Sequence, residues 1–336
     1  MKLKVEGMLM NTKRNIVRYG VISTASIVPR FCRGVRLAGN GEVSVISSRD
    51  LKKAEQLAGQ LDIPKAVDDY HLILEDPDID AVYIPLVNSL HYPYAKEALL
   101  AGKHVVMEKP FVLHAREAEE LFALAEERKL FLTEAVKAPF LPVYRRIREI
   151  IVSNILGRLC YMDFRQSYNS GPYITGWNKE KDMGGGVMYG NEAYFFHMAE
   201  FLNGPIESCY GNASFFESGA EQQCSISVRF ANNTMANLAV SNLVLFENGL
   251  TLYFEHGRIF IPDYWKASRA VIYPEDGEPE TISCPCEYEL QYELKHYNEC
   301  ILEGKLTSPV TPPEHTIRYI RYCEELRSTW ENEKKP

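Results

Sequence analysis

The chain has 336 residues, of which 46% are apolar and 24% charged, with 21 glycines and 18 prolines. This ordinary globular composition excludes collagen-like, low-complexity and intrinsically disordered proteins, and the length favours two or three domains. A net charge of -8 argues against a large surface for nucleic acid or anionic membrane.

The N-terminal residues lack the sustained apolar stretch and the cleavage site of a secretory signal. No window approaches the roughly 18 apolar residues that a membrane-spanning helix needs, so we expect a cytoplasmic protein with no membrane contact. Eight scattered cysteines include no Cys-x-x-Cys pair. We expect them to be reduced, mostly buried thiols, and we expect no metal site.

Short β-branched runs alternate with helical periodicities from Tyr19 to about Thr133. The predicted strands are Tyr19–Ile22, Glu42–Ile46, Ala81–Ile84, Lys103–Met107 and Leu130–Thr133. The predicted helices are Ile27–Leu37, Leu51–Ala58, Tyr94–Ala101 and Ala115–Arg128. This alternation predicts an α/β fold that begins with a doubly wound parallel sheet, in residues 1–135, with residues 1–15 as an extension.

The pattern changes in residues 136–336, which we assign to a second, α+β domain. Helices are predicted at Val143–Val152 and Val187–Leu202, and two closing helices at 289–303 and 313–330. Strands are predicted at Cys160–Gln166, Ser208–Phe216, Ser225–Phe230, Met235–Val244, Leu250–Glu255, Arg258–Ile261 and Ala270–Tyr273. These strands lack the intervening helices that a parallel sheet requires, so we predict an open, mostly antiparallel sheet.

A dinucleotide site places a glycine-rich turn between the first strand and the first helix, where backbone amides approach the pyrophosphate. Here the turn consists of Ser23, Thr24, Ala25, Ser26 and Ile27 before Val28. The G-x-G-x-x-G pattern fails, because Ser, Ala and Val occupy the glycine positions. Small residues still allow close approach, and the hydroxyls suit phosphate oxygens. An ordinary strand–helix turn is the alternative.

Ser48 and Arg49 follow the second strand, where an acidic residue would bind the ribose 2′-hydroxyl of NAD. An arginine at this position suits a 2′-phosphate instead. The pair therefore favours NADP over NAD, unless Arg49 is only a solvated residue at the start of the next helix.

Three segments are more specific than this turn: the N-x-x-H segment Asn88 to His91, the A-G-K-H-V run from Ala101 to Val105, and the tripeptide Glu108-Lys109-Pro110. Their order and spacing, with Gly184-Gly185-Gly186 and Tyr194 further on, resemble the glucose-fructose oxidoreductase, inositol dehydrogenase and rhizopine-catabolism (Gfo/Idh/MocA) family. The resemblance implies a two-domain enzyme, with a Rossmann domain first. Its expected activity is hydride transfer between a nicotinamide cofactor and a carbinol or carbonyl carbon of a sugar, cyclitol or related polyol.

In this family the lysine of E-K-P lies near the reacting oxygen, so the resemblance makes Lys109 catalytic, held by Glu108. A lysine at that position can donate a hydrogen bond or a proton to an oxygen that gains charge. A surface cation after a strand is the alternative. The cofactor contacts that the resemblance implies are Pro85, Leu86, Asn88, His91, Glu108, Lys109 and Trp177.

Two residues beside these contacts depart from the family pattern, and one of the contacts has another interpretation. Val87 stands where the family normally has proline, and Asn178 replaces the arginine that often follows Trp177. His91 has a second interpretation as a cap of the helix that it begins.

The family's catalytic helix carries an aspartate and, four residues later, a histidine or tyrosine on the same face. Here Tyr194 stands at the acid/base position, but Gly190 replaces the aspartate and Glu192 replaces a glycine. Glu192 lies roughly 160° around the helix from Gly190, so it is a poor substitute. We expect Tyr194 to work with Lys109 alone or with His197 one turn on; core packing is the alternative role for Tyr194.

The leading hypothesis is an NADP-preferring dehydrogenase or reductase of a small sugar or polyol, with NAD possible. The competing hypothesis is a non-catalytic dinucleotide-binding sensor, motivated by Gly190 and the degenerate turn at Ser23–Val28. We expect no nucleic-acid partner. The resemblance implies a homodimer or homotetramer formed through the second sheet, and substrate identity depends on side chains around residues 168–181.

Overall fold

The computed structural model describes residues 15–168 and 176–333. The first sheet contains β1 (Val17–Ile22), β2 (Gly41–Ser47), β3 (Lys65–Val67), β4 (Ala81–Ile84), β5 (His104–Met107) and β6 (Leu132–Glu134). The helices of this part are α1 (Val28–Ala38), α2 (Leu51–Leu61), α3 (His71–Leu74), α4 (His91–Leu100) and α5 (Ala115–Arg128).

The six strands are all parallel, in the order β3-β2-β1-β4-β5-β6. This order confirms the predicted doubly wound sheet. Its direction of winding reverses between β1 and β4, and in open α/β sheets ligands bind at the carboxyl ends of the strands at that point. Strand β3 was missed because it has only three residues and begins with an exposed lysine, too short a run for an alternation to be visible.

The core of the first sheet explains why these segments are strands. All four residues of β4 are buried, since helices cover both faces of a parallel sheet and its central strands read as continuous apolar runs. Phe31 on α1 stacks on Tyr83 of β4, with ring centroids 3.7 Å apart. This contact fixes α1, and with it the turn that precedes the helix, against the carboxyl edge of the sheet.

The second sheet contains β7 (Leu159–Ser167), β8 (Ile206–Phe215), β9 (Glu221–Phe230), β10 (Met235–Ser241), β11 (Gly249–Phe254), β12 (Gly257–Pro262), β13 (Arg269–Pro274) and β14 (Glu280–Ser283). Its helices are α6 (Pro142–Ser153), α7 (Val187–Asn203), α8 (Leu290–Leu302) and α9 (Pro313–Glu333).

The strand order of the second sheet is β14-β13-β12-β11-β7-β10-β9-β8. The pair β7 and β10 is parallel and the others are antiparallel, so the prediction of a mostly antiparallel sheet is confirmed. The predicted strand Met235–Val244 ends at Ser241, and the polar, largely exposed β14 was missed. Helix α7 packs on β9, β10 and β7, and α9 packs on α7 and β8.

Helix α8 packs against α1 of the first sheet's helical layer. Leu290 and Leu294 lie so close to Gly34 that a Cβ on this glycine would be 2.7 Å from a methyl group of Leu294. Tyr19 of β1 donates a hydrogen bond to Asn298 at 2.7 Å. The N-terminal end of α8 therefore lies beside the first turn of α1. No helix in the described ranges is long and apolar enough to cross a membrane.

Candidate active site

The carboxyl edge of the first sheet collects most of the predicted site residues. Ser23–Ile27 follow β1, Ser48 and Arg49 follow β2, Pro85 and Leu86 follow β4, and Lys109 follows β5. Because the strands are parallel, these segments meet at one edge, around the switch point between β1 and β4.

The turn between β1 and α1 fits a phosphate group. Helix α1 begins at Val28 without a side-chain cap, and Ser23 Oγ accepts a hydrogen bond from the amide of Ala25 at 3.0 Å. Within residues 15–168 and 176–333, the amides of Ser26 and Ile27 form no hydrogen bond. Unpaired amides at a helix start, reached past small side chains, bind anionic oxygens well.

Arg49 is exposed between β2 and the N-cap residue Asp50 of α2. Its guanidinium forms no ion pair with any residue in the described part of the chain. Ser48 Oγ accepts a hydrogen bond from the amide of Asp50 at 3.3 Å, which fixes the backbone beside Arg49. The geometry leaves the arginine available for an anion at the end of β2.

The ring of His91, at the start of α4, is turned into the protein. His91 is fully buried, with Nδ1 2.8 Å from the carbonyl of Pro110 and Nε2 3.2 Å from the carbonyl of Leu86. Burial lowers the pKa of this imidazole and so favours its neutral form, in which one of the two nitrogens donates a hydrogen bond. The ring joins the loop after β4 to the segment after Lys109, and a contact between His91 and the cofactor stays a prediction.

The side chain of Asn88 is also bonded within the protein. Its side chain is buried and donates a hydrogen bond to the carbonyl of Gly184 at 2.8 Å. A Cβ on Gly184 would lie 2.7 Å from the Cβ of Asn88, and the φ of Gly184 is +77°, so only glycine fits this approach. The contact docks the glycine-rich loop before α7 on the first sheet's site.

Trp177 lies in a short 3₁₀ helix, Gly176–Lys179, directly under the same glycine-rich loop. A Cβ on Gly185 would be 2.7 Å from the carbonyl oxygen of Trp177. The backbone of the half-buried residue Trp177 therefore packs against the glycine-rich loop at the entrance of α7. Part of the predicted substrate loop, residues 169–175, lies outside the described residues.

Lys109 and the helix α7 are brought into direct contact. Nζ of Lys109 donates a hydrogen bond to the carbonyl oxygen of Gly190 at 2.9 Å. This is the position at which the Gfo/Idh/MocA pattern has aspartate, and a Cβ on Gly190 would meet no atom within 4 Å. The missing carboxylate thus leaves open space beside the ammonium group, which bonds the helix backbone instead.

Two lysine ammonium groups lie near the ring of Tyr194. The centroid of the ring is 5.7 Å from Nζ of Lys109 and 5.9 Å from Nζ of Lys137. Burial, and after it the negative charge of Glu108, raises the pKa of Tyr194 well above its ordinary value. The phenol therefore keeps its proton at neutral pH, so its hydroxyl can donate a hydrogen bond.

The carboxylate of Glu108 fixes the backbone beside Lys109. Its carboxylate accepts hydrogen bonds from the hydroxyl of Tyr83 at 2.5 Å and from the amide of Lys109 at 3.2 Å. Because Tyr83 is itself fixed by its stack on Phe31, the carboxylate has a defined position. Glu108 orients the backbone from which Lys109 extends.

His197 pairs with Glu134 and not with Tyr194. Its Nε2 lies 2.9 Å from the fully buried carboxylate of Glu134, which also accepts hydrogen bonds from the hydroxyl of Tyr319 and from the amide of Phe111 at 2.8 Å. No hydrogen bond joins His197 to Tyr194 in the described part of the chain. The pairing of Tyr194 with Lys109 is the arrangement that the geometry supports.

Glu192 is likewise excluded as a displaced carboxylate for Lys109. One of its oxygens accepts a hydrogen bond from the amide of Asn191, and the other is buried with no hydrogen-bond partner among the described residues. Burial raises the pKa of Glu192 to about 8, so it is mostly protonated at neutral pH. Its charged neighbour Arg327 forms an ion pair with Glu221, behind the helix.

The sequence analysis missed Lys137 and Glu293, two buried titratable residues beside Tyr194. Lys137 is the one charged residue in the apolar run Ala135 to Leu141 that follows β6. An isolated charge in such a run at a strand end is a signal of a buried functional group. Glu293 carries no comparable signal, because it lies on a helix with polar neighbours and a second acidic residue, Glu299, and its burial depends on the packing of α8.

The fold and the site together define a nicotinamide-nucleotide-dependent oxidoreductase: a doubly wound sheet with a phosphate-binding turn, followed by a sheet domain that presents a tyrosine to a lysine at the carboxyl edge. The sequence matches two family profiles, "Oxidoreductase family, NAD-binding Rossmann fold" at residues 17–136 and "GFO/IDH/MocA C-terminal domain" at residues 144–260. The chain belongs to the Gfo/Idh/MocA family of oxidoreductases.

Relatives and solved structures agree with this assignment. The chain is 28% identical to trans-1,2-dihydrobenzene-1,2-diol dehydrogenase of Xenopus tropicalis, over 90% of this chain and 92% of that protein. The human enzyme of the same name is 25% identical, over 93% and 96%. A 3-ketoreductase from Actinomadura kijaniata, crystallised with NADP, has a TM-score of 0.83 at 23% identity, covering 94% of this chain and 98% of its own. Levoglucosan dehydrogenase, complexed with NADH and levoglucosan, has a TM-score of 0.84 at 16% identity, covering 95% and 98%.

Proposed function

We propose that this oxidoreductase interconverts a secondary alcohol and a ketone on a sugar, cyclitol or related small polyol, with Lys109 and Tyr194 as the catalytic residues. The contact that carries the proposal is the hydrogen bond from Lys109 to the first turn of α7, because it places the ammonium group beside the ring of Tyr194. The names of the relatives fit this reaction, since a dihydrodiol, a 3-ketone and levoglucosan each contain a hydroxyl-bearing or carbonyl carbon in a ring.

The nicotinamide ring, when bound at the edge between β1 and β4, supplies or accepts the hydride. In the reducing direction the substrate oxygen gains negative charge. Lys109 then stabilises this oxygen with its ammonium group, and Tyr194, protonated because its pKa is raised, donates a hydrogen bond or its proton. Both donors are held before the substrate arrives, so little reorganisation is needed.

The turn at Ser23–Ile27 would hold the pyrophosphate, and Ser48 and Arg49 the adenosine ribose with its 2′-phosphate. Pro85, Leu86 and Trp177 would border the nicotinamide half, while Asn88 and Glu108 act by fixing the loops around it. The exposed guanidinium of Arg49, without an ion-pair partner in the described residues, supports NADP as the preferred cofactor.

Turnover separates this proposal from a non-catalytic sensor. Purified protein is incubated with NADPH or NADP and a panel of polyols, aldoses, ketoses and inositols, and the nucleotide absorbance is followed. We expect turnover with at least one substrate, and we expect Tyr194→Phe to lower kcat at least about 100-fold with nucleotide affinity unchanged. Tight nucleotide binding with no turnover by the native chain would favour the sensor instead.

We also propose that the chain forms a homodimer or homotetramer through the outer face of the second sheet. Tyr161, Tyr253 and Met235 are register partners on β7, β11 and β10, and their side chains are 37%, 40% and 46% exposed. Three neighbouring large apolar side chains on a sheet face are typical of an interface. Tyr253→Arg should lower the mass measured by light scattering to that of one chain.

The remaining proposals concern organisation and location. We propose the division into residues 1–135 and 136–336, with α8 packed back on α1. We propose a cytoplasmic location, supported by eight cysteines that are all free thiols.

A further inference from the structure

Lys137 is a buried lysine beside the catalytic tyrosine that the reaction above does not use. Only 9% of its side chain is exposed, and its Nζ lies 5.9 Å from the centroid of the Tyr194 ring. Lys137 follows β6 by three residues, and Glu134 at the end of β6 pairs with Met107 at the end of β5. Lys109 and Lys137 therefore approach Tyr194 from the ends of two neighbouring strands, on the same edge of the sheet.

The ammonium group of Lys137 has incomplete partners. The nearest carboxylate, that of Glu289, is 3.6 Å away, too far for a good hydrogen bond. Glu289 is also shared, since it forms an ion pair with Arg30 on α1. Within residues 15–168 and 176–333, Nζ of Lys137 makes no hydrogen bond. An ammonium group has three N–H donors. Nζ of Lys137 is not among the fully buried side-chain atoms of the described residues that lack a partner, so it stays accessible, and a bound acceptor would satisfy its donors.

The charged groups that act on Lys137 are the guanidinium of Arg30 and the carboxyl groups of Glu289, Glu293 and Glu108. Glu293 is fully buried, and burial followed by the charge of Glu108 raises its pKa to about 8, so it is mostly neutral at neutral pH. Burial, and after it the charge of Arg30, lowers the pKa of Lys137. An anion placed beside Nζ would therefore stabilise the charged form of this lysine.

Resting on the proposed alcohol–ketone reaction, we propose that Lys137 is a specificity-determining residue that binds a carboxylate of the substrate. The preferred class would be a sugar acid, an aldonate or a uronate, rather than a neutral polyol. The reacting carbinol would lie at Lys109 and Tyr194, and the carboxylate at Lys137, whose Nζ is 5.9 Å from the centroid of the tyrosine ring. A neutral sugar offers only hydroxyl oxygens there, which are weaker partners for an ammonium group than a carboxylate is.

Matched substrate pairs test this role. Gluconate with sorbitol, and glucuronate with glucose, differ mainly in the carboxylate. With NADP(H) we expect the native chain to favour the acid of a pair at least about 10-fold in kcat/KM, the scale of one hydrogen bond to a charged group. Lys137→Met should remove that preference, because it should raise KM for the acid at least about 10-fold more than KM for the neutral partner. Lys137→Arg should retain it, and Lys96→Met, which removes an exposed lysine on α4, should change neither.

The proposal is overturned if the native chain favours the neutral substrate of a pair. It is also overturned if Lys137→Met lowers kcat/KM equally for both substrates, as expected if Lys137 only supports the fold. Weaker NADPH binding in this variant, with the acid preference intact, would assign Lys137 to a cofactor phosphate and also overturn it.

A binding measurement keeps this inference separate from the proposed reaction. If the native chain binds NADPH but turns over no substrate, the proposed reaction fails. The thermal shift of the NADPH-bound protein in gluconate against sorbitol then decides the role of Lys137. A gluconate-specific stabilisation that Lys137→Met abolishes supports the carboxylate site, and equal shifts in the native chain and the variant refute it.

Discussion

Replacement of Lys109 by alanine is the sharpest test of the site. The substitution removes the ammonium group that bonds the carbonyl of Gly190 and lies beside Tyr194, but it leaves Glu108 and the phosphate-binding turn in place. Loss of one donor aimed at a developing oxyanion costs about 100- to 1,000-fold in kcat, or about 2.7–4 kcal/mol. If Lys109 also transfers the proton, the loss extends to about 10,000-fold.

The same substitution should hardly change the fold. A single hydrogen bond contributes about 0.5–1.5 kcal/mol net, which for a chain of this size corresponds to a melting temperature lower by about 1–2 °C. Nucleotide affinity should stay within a factor of three, because the amides of Ser26 and Ile27 and the guanidinium of Arg49 are untouched. We therefore expect kcat to fall while the melting temperature and the nucleotide affinity change little.

Three measurements on each protein decide the outcome: NADPH titration by fluorescence, steady-state turnover at saturating nucleotide, and a thermal melt. Lys96→Ala is the matched control, since it removes an exposed lysine whose partners Tyr92 and Glu120 are on the outer helices α4 and α5. A Lys109→Ala enzyme within fivefold of the native kcat would refute the catalytic role. A loss of activity that is fully explained by weaker nucleotide binding would also refute this role.

Three further substitutions test neighbouring points. Arg49→Ala should lower the ratio of kcat/KM for NADPH over NADH at least about 10-fold, with NADH little changed; an unchanged ratio would exclude a 2′-phosphate contact. Gly190→Ala should raise the free energy of unfolding by about 0.5–1 kcal/mol, since its Cβ meets open space; destabilisation in urea would contradict the empty volume. Glu192 has a folded pKa of about 8 against 4.5 when unperturbed. The stability that its protonated form contributes below about pH 4.5 is therefore lost as the pH rises to about 8. In urea unfolding, the free energy of unfolding of Glu192→Gln should rise relative to that of the native chain over this pH range. A difference in free energy that does not vary with pH would contradict a buried, protonated Glu192.

Much of the fold was predictable because most elements have a clear periodicity. Ala115–Arg128 was predicted with both ends correct, since its apolar face repeats over almost four turns. The missed strands β3 and β14 have three and four residues, and the missed helix α3 has four. Strands of that length are fixed by pairing with neighbours such as β2 and β13, and this pairing is not visible in a local pattern.

The site was predictable where ordered motifs carry it, and not where tertiary packing decides. The proximity of Lys109 and Tyr194 came from the family resemblance, and the structure places them together. His91 belongs to the same resemblance, but its ring is buried with Nδ1 near the carbonyl of Pro110 and Nε2 near that of Leu86, which the local sequence does not reveal. The burial of Glu293 comes from the packing of α8 on α1 across more than 250 residues of sequence, which no local pattern reveals.

The buried charges also bear on the choice between an enzyme and a decayed binding protein. A chain that has lost its chemistry has no reason to keep a lysine that is nearly excluded from water, lies 3.6 Å from a shared carboxylate and makes no hydrogen bond within the described residues. Such burial costs several kcal/mol of desolvation, and an apolar side chain at the same position would often be more stable. The presence of Lys109 and Lys137, with their Nζ atoms 5.7 Å and 5.9 Å from the centroid of the Tyr194 ring, is the arrangement expected of a site that binds and polarises a substrate.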